Sequence, residues 1–283
     1  MANEEIIQTN RQTSLTELYH VASFNLDEFK AKLLSTEITD SKSLLKVVAK
    51  PENILGMGGN GIVYRIPQVA GYVLKVHNRA FNKFEELMPL ELVDDQFPEM
   101  NFGQPVASIG IADILKEQTG MPAGVPYGDV RRNKEIGNAV YETYLRIAAD
   151  MPQDAYDQLA RLFELLNKNG LFFDPSKANN ILVDSERGKF NLVDLYHQDG
   201  SLPRNSLSYM IIALLDNAYA RQVKDEELEL VLVEYRRQIL VKCIKACNKV
   251  NLPATKVNDS SLEYSFMLSG MKDEWEKFVA ELA

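Results

Sequence analysis

The amino-acid sequence predicts an α+β fold in which a small antiparallel sheet is followed by a mostly helical half. From about residue 52, short runs rich in β-branched and aromatic residues ("ILGMG", "GIVYRI", "GYVLKVH") are separated by Gly, Pro and Asn, as in a β-meander. From about residue 128, apolar residues instead recur with helical spacing. The chain therefore changes from sheet to helix part-way along its length.

Length and charge limit the classes of protein that the chain can belong to. Its 283 residues are enough for one domain or two closely joined lobes. We predict a helical extension over 1–48, a first lobe over 49–126, and a second lobe with a helical C-terminal extension over 127–283. The net charge of −9 argues against nucleic acid as a partner, because a nucleic-acid binder needs a basic face. No apolar run is long enough for a membrane span.

The remaining elements follow in chain order. The stretch "SLTELYHVASFNLDEFKAKLL" predicts an amphipathic helix, and "NKFEELMPLELVDD" predicts a short helix that Pro89 interrupts. Two further strands are expected in "PVASIGIADILKEQTG". Helices are expected over about 128–150 and 153–169, and again from about 205 onward, apart from the loop "NLPATKVNDSS". Between them, "NNILVD" and "KFNLVDLY" predict a hairpin joined by "SERG".

The first chemical motif is the glycine-rich stretch "ILGMGGNGIVY". Gly56, Gly58 and Gly61 spell G-x-G-x-x-G. A dinucleotide-binding turn requires a helix directly after the glycines, but "IVYRI" favours a strand, so that interpretation fails. A glycine hairpin over phosphates, followed by a valine such as Val63, is the protein-kinase arrangement. The residues expected to contact a nucleotide here are Leu55, Gly56, Gly58, Gly59, Asn60, Gly61 and Val63.

Lys75 is the second motif. It lies among apolar residues in "GYVLKV", where an unpaired ammonium would be costly. ATP phosphates and a carboxylate are the partners expected of such a lysine. We choose Glu91 as that carboxylate, with Glu85 and Glu86 as rivals. The alternative is an edge-strand lysine whose head lies in solvent.

The third motif is "GLFFDPSKANNILVD", and the fourth is "KFNLVDLY". Asp174 and Asn179 have the D-x-x-x-x-N spacing of a kinase catalytic loop, in which the aspartate orients the substrate hydroxyl and the asparagine binds Mg²⁺. Asp194 closes the apolar run of the next strand, where a carboxylate has little structural purpose. Binding of a Mg²⁺ ion beside ATP would give this carboxylate a purpose, because this cation prefers carboxylate oxygen.

Together these motifs resemble a branch of bacterial kinases, the type III secretion effectors of the NleH/OspG group. The resemblance lies in "ILGMGGNGIVY", "VLKV", "LFELLNKNGLFFD" and "FNLVDLY", and it covers roughly residues 50–200. It implies a bilobal kinase-like fold, ATP and Mg²⁺ as cofactors, and phosphorylation of serine or threonine on a host protein. By position, Leu115 would be the gatekeeper residue beside adenine. The backbone of Lys116 and Gln118 would bind the edge of the base.

Departures from the usual kinase pattern also carry predictions. Phe172 and Phe173 replace the His-Arg pair before Asp174, so the arginine that reads a phosphorylated activation loop is missing. The segment after Asp194 is short and has no A-P-E motif. We therefore expect an enzyme with a minimal activation segment that is active without loop phosphorylation. Ser176 stands where many kinases have lysine, so Lys177 would have to reach the γ-phosphate from one place later.

Other functions remain open from the sequence. The resemblance also allows a binding module that engages ubiquitin or a ubiquitin-conjugating enzyme. A small-molecule phosphotransferase of the aminoglycoside or choline kinase kind uses the same D-x-x-x-x-N loop, and a kinase fold that transfers AMP is a related alternative. The polar start "MANEEIIQTNRQTSL" is compatible with an export signal or with a frayed terminus. The expected location is therefore the host cell cytoplasm, or the bacterial cytoplasm if the protein is not exported.

Overall fold

The chain divides into two units in a computed structural model. The described residues up to 77, with those from 105 to 117, form the first unit, and the described residues from 119 onward form the second. The protein is α+β, with a small antiparallel sheet and a mostly helical part, as the sequence predicts. The structure describes residues 26–33, 38, 41–58, 61–77, 105–108, 112–117, 119–122, 133–168, 171–174, 180–193, 195–197, 206–215, 217–221, 223, 226–250, 252 and 260–282.

The first unit is built on a five-stranded antiparallel sheet. Its strands are β1 (Ile54–Gly58), β2 (Gly61–Arg65), β3 (Tyr72–His77), β4 (Pro105–Ser108) and β5 (Ala112–Lys116), in the order β1-β2-β3-β5-β4. Alternating apolar residues form the strands because each strand buries one face. All five strands were predicted from these patterns. The helix expected in "NKFEELMPLELVDD" lies outside the described residues.

Two helices cover one face of this sheet, α1 (Leu26–Lys32) and α2 (Ser41–Val48). Their apolar residues share a buried core with the strands. This core includes Phe29, Leu33, Leu44, Val48, Tyr64, Ile66, Leu74 and Ile114. The amphipathic helix predicted in "SLTELYHVASFNLDEFKAKLL" is confirmed over Leu26–Lys32, which is α1. The part of that prediction before residue 26 lies outside the described residues.

Helices make up most of the second unit. They are α3 (Lys134–Asp150), α4 (Gln153–Lys168), α5 (Leu207–Leu215), α6 (Asn217–Ala220), α7 (Glu226–Cys247), α8 (Ser260–Leu268) and α9 (Lys272–Leu282). Helix α7 packs against α3, α4 and α5 through buried apolar residues at helical spacing. The hydroxyls of Tyr141 and Tyr144 donate to the carbonyls of Leu215 and Leu214 at the end of α5, at 2.6 and 2.7 Å. Among the described helices, none is both long and apolar enough to cross a membrane.

The start of α3 corrects one predicted boundary. The helix begins at Lys134 rather than near residue 128. Asn133 has extended backbone, and its side chain accepts hydrogen bonds from the backbone N–H groups of Glu135 and Ile136, at 3.0 and 3.3 Å. An asparagine that satisfies the free N–H groups of the first turn is a strong helix start.

Short strands complete the second unit. Strands β6 (Met121–Pro122), β8 (Ile181–Asp184) and β9 (Lys189–Leu192) form one antiparallel sheet in the order β6-β8-β9. Strand β7 (Leu171–Phe173) pairs with β10 (Leu195–His197). The β8–β9 hairpin was predicted, but the single strand expected in "KFNLVDLY" is wrong. This stretch divides between β9 and β10, because Leu195–His197 pairs with β7 instead of continuing along β8.

Candidate functional site

The glycine-rich stretch forms a strand, a tight connection and a strand. Strands β1 and β2 are antiparallel, and their last pair is Gly58 opposite Gly61. A strand follows the glycines directly, so the structure excludes the dinucleotide-binding turn in the same way as the sequence did. Leu55 lies at an irregularity in the β1–β2 register and is 44% exposed.

Three residues predicted to contact the nucleotide form a row across neighbouring strands. Gly56 on β1 is opposite Val63 on β2, which is opposite Lys75 on β3. Directly paired residues point to the same face of a sheet, and residues two apart in a strand share that face. Val73 pairs with Leu115, so the predicted gatekeeper lies on the face of Lys75. The opposite face, with Leu74 and Ile114, packs against α1 and α2.

Gly56 and Gly61, two glycines of this hairpin, have different surroundings. A Cβ atom at Gly61 would lie 2.2 Å from the carbonyl oxygen of Val76, so close strand packing requires glycine there. At Gly56, no heavy atom lies within 4 Å of the position that a Cβ would take, and its φ is not in the left-handed region. Packing among the described residues therefore does not explain Gly56. Close approach of a ligand to its backbone would explain it.

Lys75 is half-buried on β3, between the buried residue Leu74 and the half-buried Val76. Its backbone pairs with Val63 on one side and with Asp113 of β5 on the other. This placement agrees with a lysine held against a sheet face. Glu91, its expected carboxylate partner, lies outside the described residues, as do the rivals Glu85 and Glu86.

Asp174 lies in the second unit, directly after β7. Phe173 before it is fully buried and packs against Phe163 of α4, with ring centroids 5.5 Å apart. Helix α4 therefore fixes the end of β7 from which the aspartate emerges. Asp174 itself is half-buried. The apolar Phe172-Phe173 pair that replaces His-Arg thus has a structural reason, because these two residues form most of strand β7.

Backbone hydrogen bonding joins the chain neighbours of the three predicted polar residues. Phe173, which precedes Asp174, pairs with Leu195, which follows Asp194 in the chain. The N–H of Val193, which precedes Asp194, donates to the carbonyl of Asn180 at 2.9 Å. Asn180 in turn follows Asn179. The segments that carry the predicted hydroxyl-orienting and metal-binding residues therefore meet at one end of the small sheets.

Asn180 is a residue that the sequence analysis did not consider. Only 4% of it is exposed, and its side-chain Nδ2 is a buried donor with no hydrogen-bond partner among the described residues. A buried amide donor in that state costs roughly 1–3 kcal/mol, so its retention favours a purpose other than stability. The doubled asparagine in "ANNILVD" was the available signal, because either residue can supply the amide.

Several predicted site residues lie outside the described part of the chain. These are Gly59, Asn60, Glu91, Gln118, Lys177, Asn179 and Asp194. The backbones of Gly58 and Lys116 are described, as the ends of β1 and β5. Of the predicted set, the structure brings together Gly56, Val63 and Lys75 in the first unit. In the second unit it describes Asp174.

Other reactive groups in the described structure are poor candidates for catalysis. Cys243 and Cys247 are free thiols. Burial raises the pKa of Cys243 well above the ordinary range and that of Cys247 to about 12, so both thiols stay protonated. Among the described residues, no three His, Cys, Asp or Glu side chains are grouped so that they could hold a metal ion.

The arrangement supplies two sets of groups that suit a phosphorylated ligand. The first unit has a lysine two strands away from Gly56, in one row across the sheet, and an ammonium and backbone N–H groups both suit phosphate oxygens. The second unit has the carboxylate of Asp174 directly after one strand and the amide of Asn180 directly before another, and Mg²⁺ prefers such oxygen ligands. No known protein family model matches this chain, and a search of curated proteins finds no significantly similar sequence. We therefore infer the function from the chain's own residues and their geometry.

Proposed function

We propose that the protein is an ATP- and Mg²⁺-dependent kinase of bilobal kinase-like fold that phosphorylates serine or threonine on proteins. By its resemblance to the secreted effector kinases, its substrates would be host proteins. The first unit would correspond to the smaller lobe and the second unit to the larger lobe. What supports the proposal is the combination of motif order along the chain with the local geometry around each motif.

One observation carries the proposal. The pair Phe173–Leu195 and the hydrogen bond from Val193 to Asn180 link three segments of the chain between residues 171 and 197. Each of these segments carries a polar residue that phosphate transfer requires. The described polar side chains of these segments are the half-buried carboxylate of Asp174 and the buried amide of Asn180. Gathering them is useful when they bind a charged ligand.

The residues would act by positioning and by neutralising charge. The backbone from Gly56 to Gly61 would cover the phosphates, and the Lys75 ammonium would hold the α- and β-phosphates. Asp174 would orient the acceptor hydroxyl and accept its proton. Asn179 or Asn180, with Asp194, would hold Mg²⁺. That ion, when bound, neutralises charge that builds on the phosphate oxygens.

The β7–β10 pair supports the proposal that the protein is active without loop phosphorylation. Strand β10 follows Asp194, and it is paired residue for residue with the strand before Asp174. Backbone hydrogen bonds thus hold the start of this segment, which in many kinases a phosphorylated loop would hold. Helix α5 begins at Leu207, so the segment between β10 and α5 is short.

The test measures phosphate transfer by the full-length protein. The protein is first treated with a phosphatase and then purified. We expect transfer of the γ-phosphate from Mg-ATP to the protein itself or to serine and threonine residues of a eukaryotic lysate. Asp174→Ala should lower the rate about 10²–10⁴-fold while leaving Mg-ATP binding in place. Phosphopeptide mass spectrometry identifies the acceptors.

Other results of this assay would indicate a different function or a different mode of activation. No labelled protein with wild type would contradict the kinase proposal and favour a binding module. Label on an aminoglycoside or on choline, with none on protein, would show a small-molecule phosphotransferase. Transfer of label from the α-phosphate of ATP would show transfer of AMP. Activity that disappears after phosphatase treatment would contradict independence from phosphorylation.

A further inference from the structure

Helix α2 carries exposed lysines on the side that faces away from the sheet. Leu44 and Val48 of this helix are fully buried in the core that it shares with the strands. Lys42 and Lys46 are exposed, and helical spacing places them on the opposite side of α2. Lys50, just after the helix, is exposed as well. Among the described residues, none of these three lysines forms an ion pair.

A compact turn joins these lysines to strand β1. The 3₁₀ turn Pro51–Asn53 follows Lys50 and leads directly into Ile54, the first residue of β1. The Asn53 N–H donates to the Lys50 carbonyl at 3.0 Å, and the Asn53 side-chain amide donates to the Val48 carbonyl at 2.9 Å. The start of β1 is therefore fixed beside the end of α2.

Strand β1 exposes large apolar side chains. Met57 is 74% exposed, and Ile54 and Leu55 are 40% and 44% exposed. No other large hydrophobic side chain among the described residues of the first unit is exposed to this extent. Exposed apolar side chains that lie together beside charged groups commonly mark a surface that contacts a partner.

The lysines of α2 and two of these apolar side chains are directed to the same side of the sheet. Ile54 pairs with Tyr64 and Met57 pairs with Ile62, so each shares a face with its partner. Tyr64 belongs to the core between the sheet and the two helices, and Ile62 packs against that core. Helix α2 covers this face and directs its lysines outward from it. The face that carries Lys75 is the opposite one.

The charge of this region is opposite in sign to that of the whole chain. Residues 42–57 contain three lysines and one acidic residue, Glu52, whereas the net charge of the chain is −9. A local excess of lysine attracts an anionic surface. Lysines beside apolar side chains are also the combination that binds the interface of an anionic membrane. The ammonium groups contact lipid phosphates, while the apolar side chains enter the boundary between head groups and acyl chains.

We propose that the surface formed by Lys42, Lys46, Lys50, Ile54 and Met57 (the α2–β1 surface) binds an anionic phospholipid membrane. An acidic polypeptide would attract the lysines but would leave the apolar side chains in water, whereas a membrane accommodates both. The proposal goes beyond the kinase function and does not depend on it.

The test is cosedimentation of the full-length protein with vesicles of phosphatidylcholine and phosphatidylserine, and with vesicles of phosphatidylcholine alone. We expect binding to the mixed vesicles that high salt weakens, because salt screens the attraction, and little binding to the neutral vesicles. Lys42→Gln combined with Lys46→Gln should weaken binding to the mixed vesicles about 25-fold, or about fivefold for each lysine. Met57→Gln should weaken it about fivefold while the dependence on salt remains.

Lys272→Gln combined with Lys277→Gln is the matched control. These lysines are exposed on α9, so the net charge changes equally but away from the α2–β1 surface. This variant should bind the mixed vesicles as the wild type does, and thermal unfolding of both double variants should match that of the wild type. Phosphate transfer to soluble acceptors should be the same in the Lys42→Gln, Lys46→Gln variant and in the wild type.

Three results would overturn the membrane proposal and leave the proposed kinase function intact. They are no vesicle binding by the wild type, equal binding to mixed and neutral vesicles, and undiminished binding by the Lys42→Gln, Lys46→Gln variant. Retention of the wild type on immobilised polyglutamate through the same two lysines, without vesicle binding, would assign the surface to an acidic protein instead.

Discussion

At the scale of single residues, Gly56 and Gly61 share a motif but occupy different surroundings. Gly61 is required by the close approach of the Val76 carbonyl across β2 and β3. Gly56 has open space where a side chain would lie. Gly61 therefore serves the fold. Packing among the described residues gives no reason for Gly56, and close approach of a ligand to its backbone would supply one.

Alanine substitution separates these two roles. Gly61→Ala should lower the free energy of unfolding by about 1–3 kcal/mol, because the added methyl group collides with backbone. Gly56→Ala should change it by less than about 0.5 kcal/mol, yet raise the KM for ATP about fivefold, the equivalent of about 1 kcal/mol of binding. Chemical denaturation and initial-rate kinetics measure the two quantities. A destabilised Gly56→Ala protein with an unchanged KM would remove the functional reason for this glycine.

The buried amide of Asn180 gives a second prediction at this scale. Asn180→Leu removes a buried donor without a partner and should raise the free energy of unfolding by about 1 kcal/mol. If this amide serves the phosphates or the metal, the same change should lower phosphate transfer about 10²-fold. Denaturation and a transfer assay are compared with those of Asn179→Leu. Full activity of Asn180→Leu alongside inactive Asn179→Leu would assign the amide role to Asn179 alone.

At the scale of elements, the sequence predicts local pattern well and pairing between distant segments poorly. Strands β1, β2 and β3 carry β-branched residues between turn residues, so the sequence predicts their positions. Strands β7 and β10 have three residues each, too few for a periodic pattern, and they exist because they pair with each other across the chain. The start of α3 depends on the cap at Asn133, which competes with an otherwise helical pattern upstream.

The β8–β9 hairpin gives a prediction about pH. Burial alone would raise the pKa of Asp184, but hydrogen bonds from Thr119 and Arg187 and the charge of Arg187 outweigh burial and lower it. Because this pKa is lower in the folded than in the unfolded protein, the charged form of Asp184 stabilises the fold above the ordinary aspartate range. That stabilisation is lost as the pH falls through the lowered pKa. Asp184→Asn should therefore reduce the free energy of unfolding by about 1–3 kcal/mol near pH 7. The difference from wild type should shrink steadily below about pH 4.

Denaturant titrations from pH 7 to pH 2.5 make this measurement. The control is Asp273→Asn, at an exposed position on α9, which should stay within about 0.5 kcal/mol of wild type throughout. A difference between Asp184→Asn and wild type that is independent of pH would show that the Asp184 charge does not stabilise the hairpin.

At the scale of the whole molecule, each unit carries one part of the predicted site. The chain order of the four residues could be predicted because Lys75 and Asp194 depart from apolar surroundings, and because Asp174 and Asn179 have the D-x-x-x-x-N spacing. The row from Gly56 to Lys75 follows from the strand register, which the structure gives. The contacts between the segments around Asp174 could not be predicted from the sequence, because they depend on long-range backbone pairing.

The most direct measurement of the central claim uses an acyl-phosphate derivative of ATP, which acylates a lysine that lies beside bound phosphates. Mass spectrometry of the digested full-length protein measures the extent of acylation at each lysine. We predict that Lys75 is the main site and that excess Mg-ATP blocks its labelling, while exposed lysines such as Lys32 and Lys168 react weakly and without protection. Labelling that avoids Lys75, or that Mg-ATP does not reduce, would contradict a nucleotide site built on the Gly56–Val63–Lys75 row.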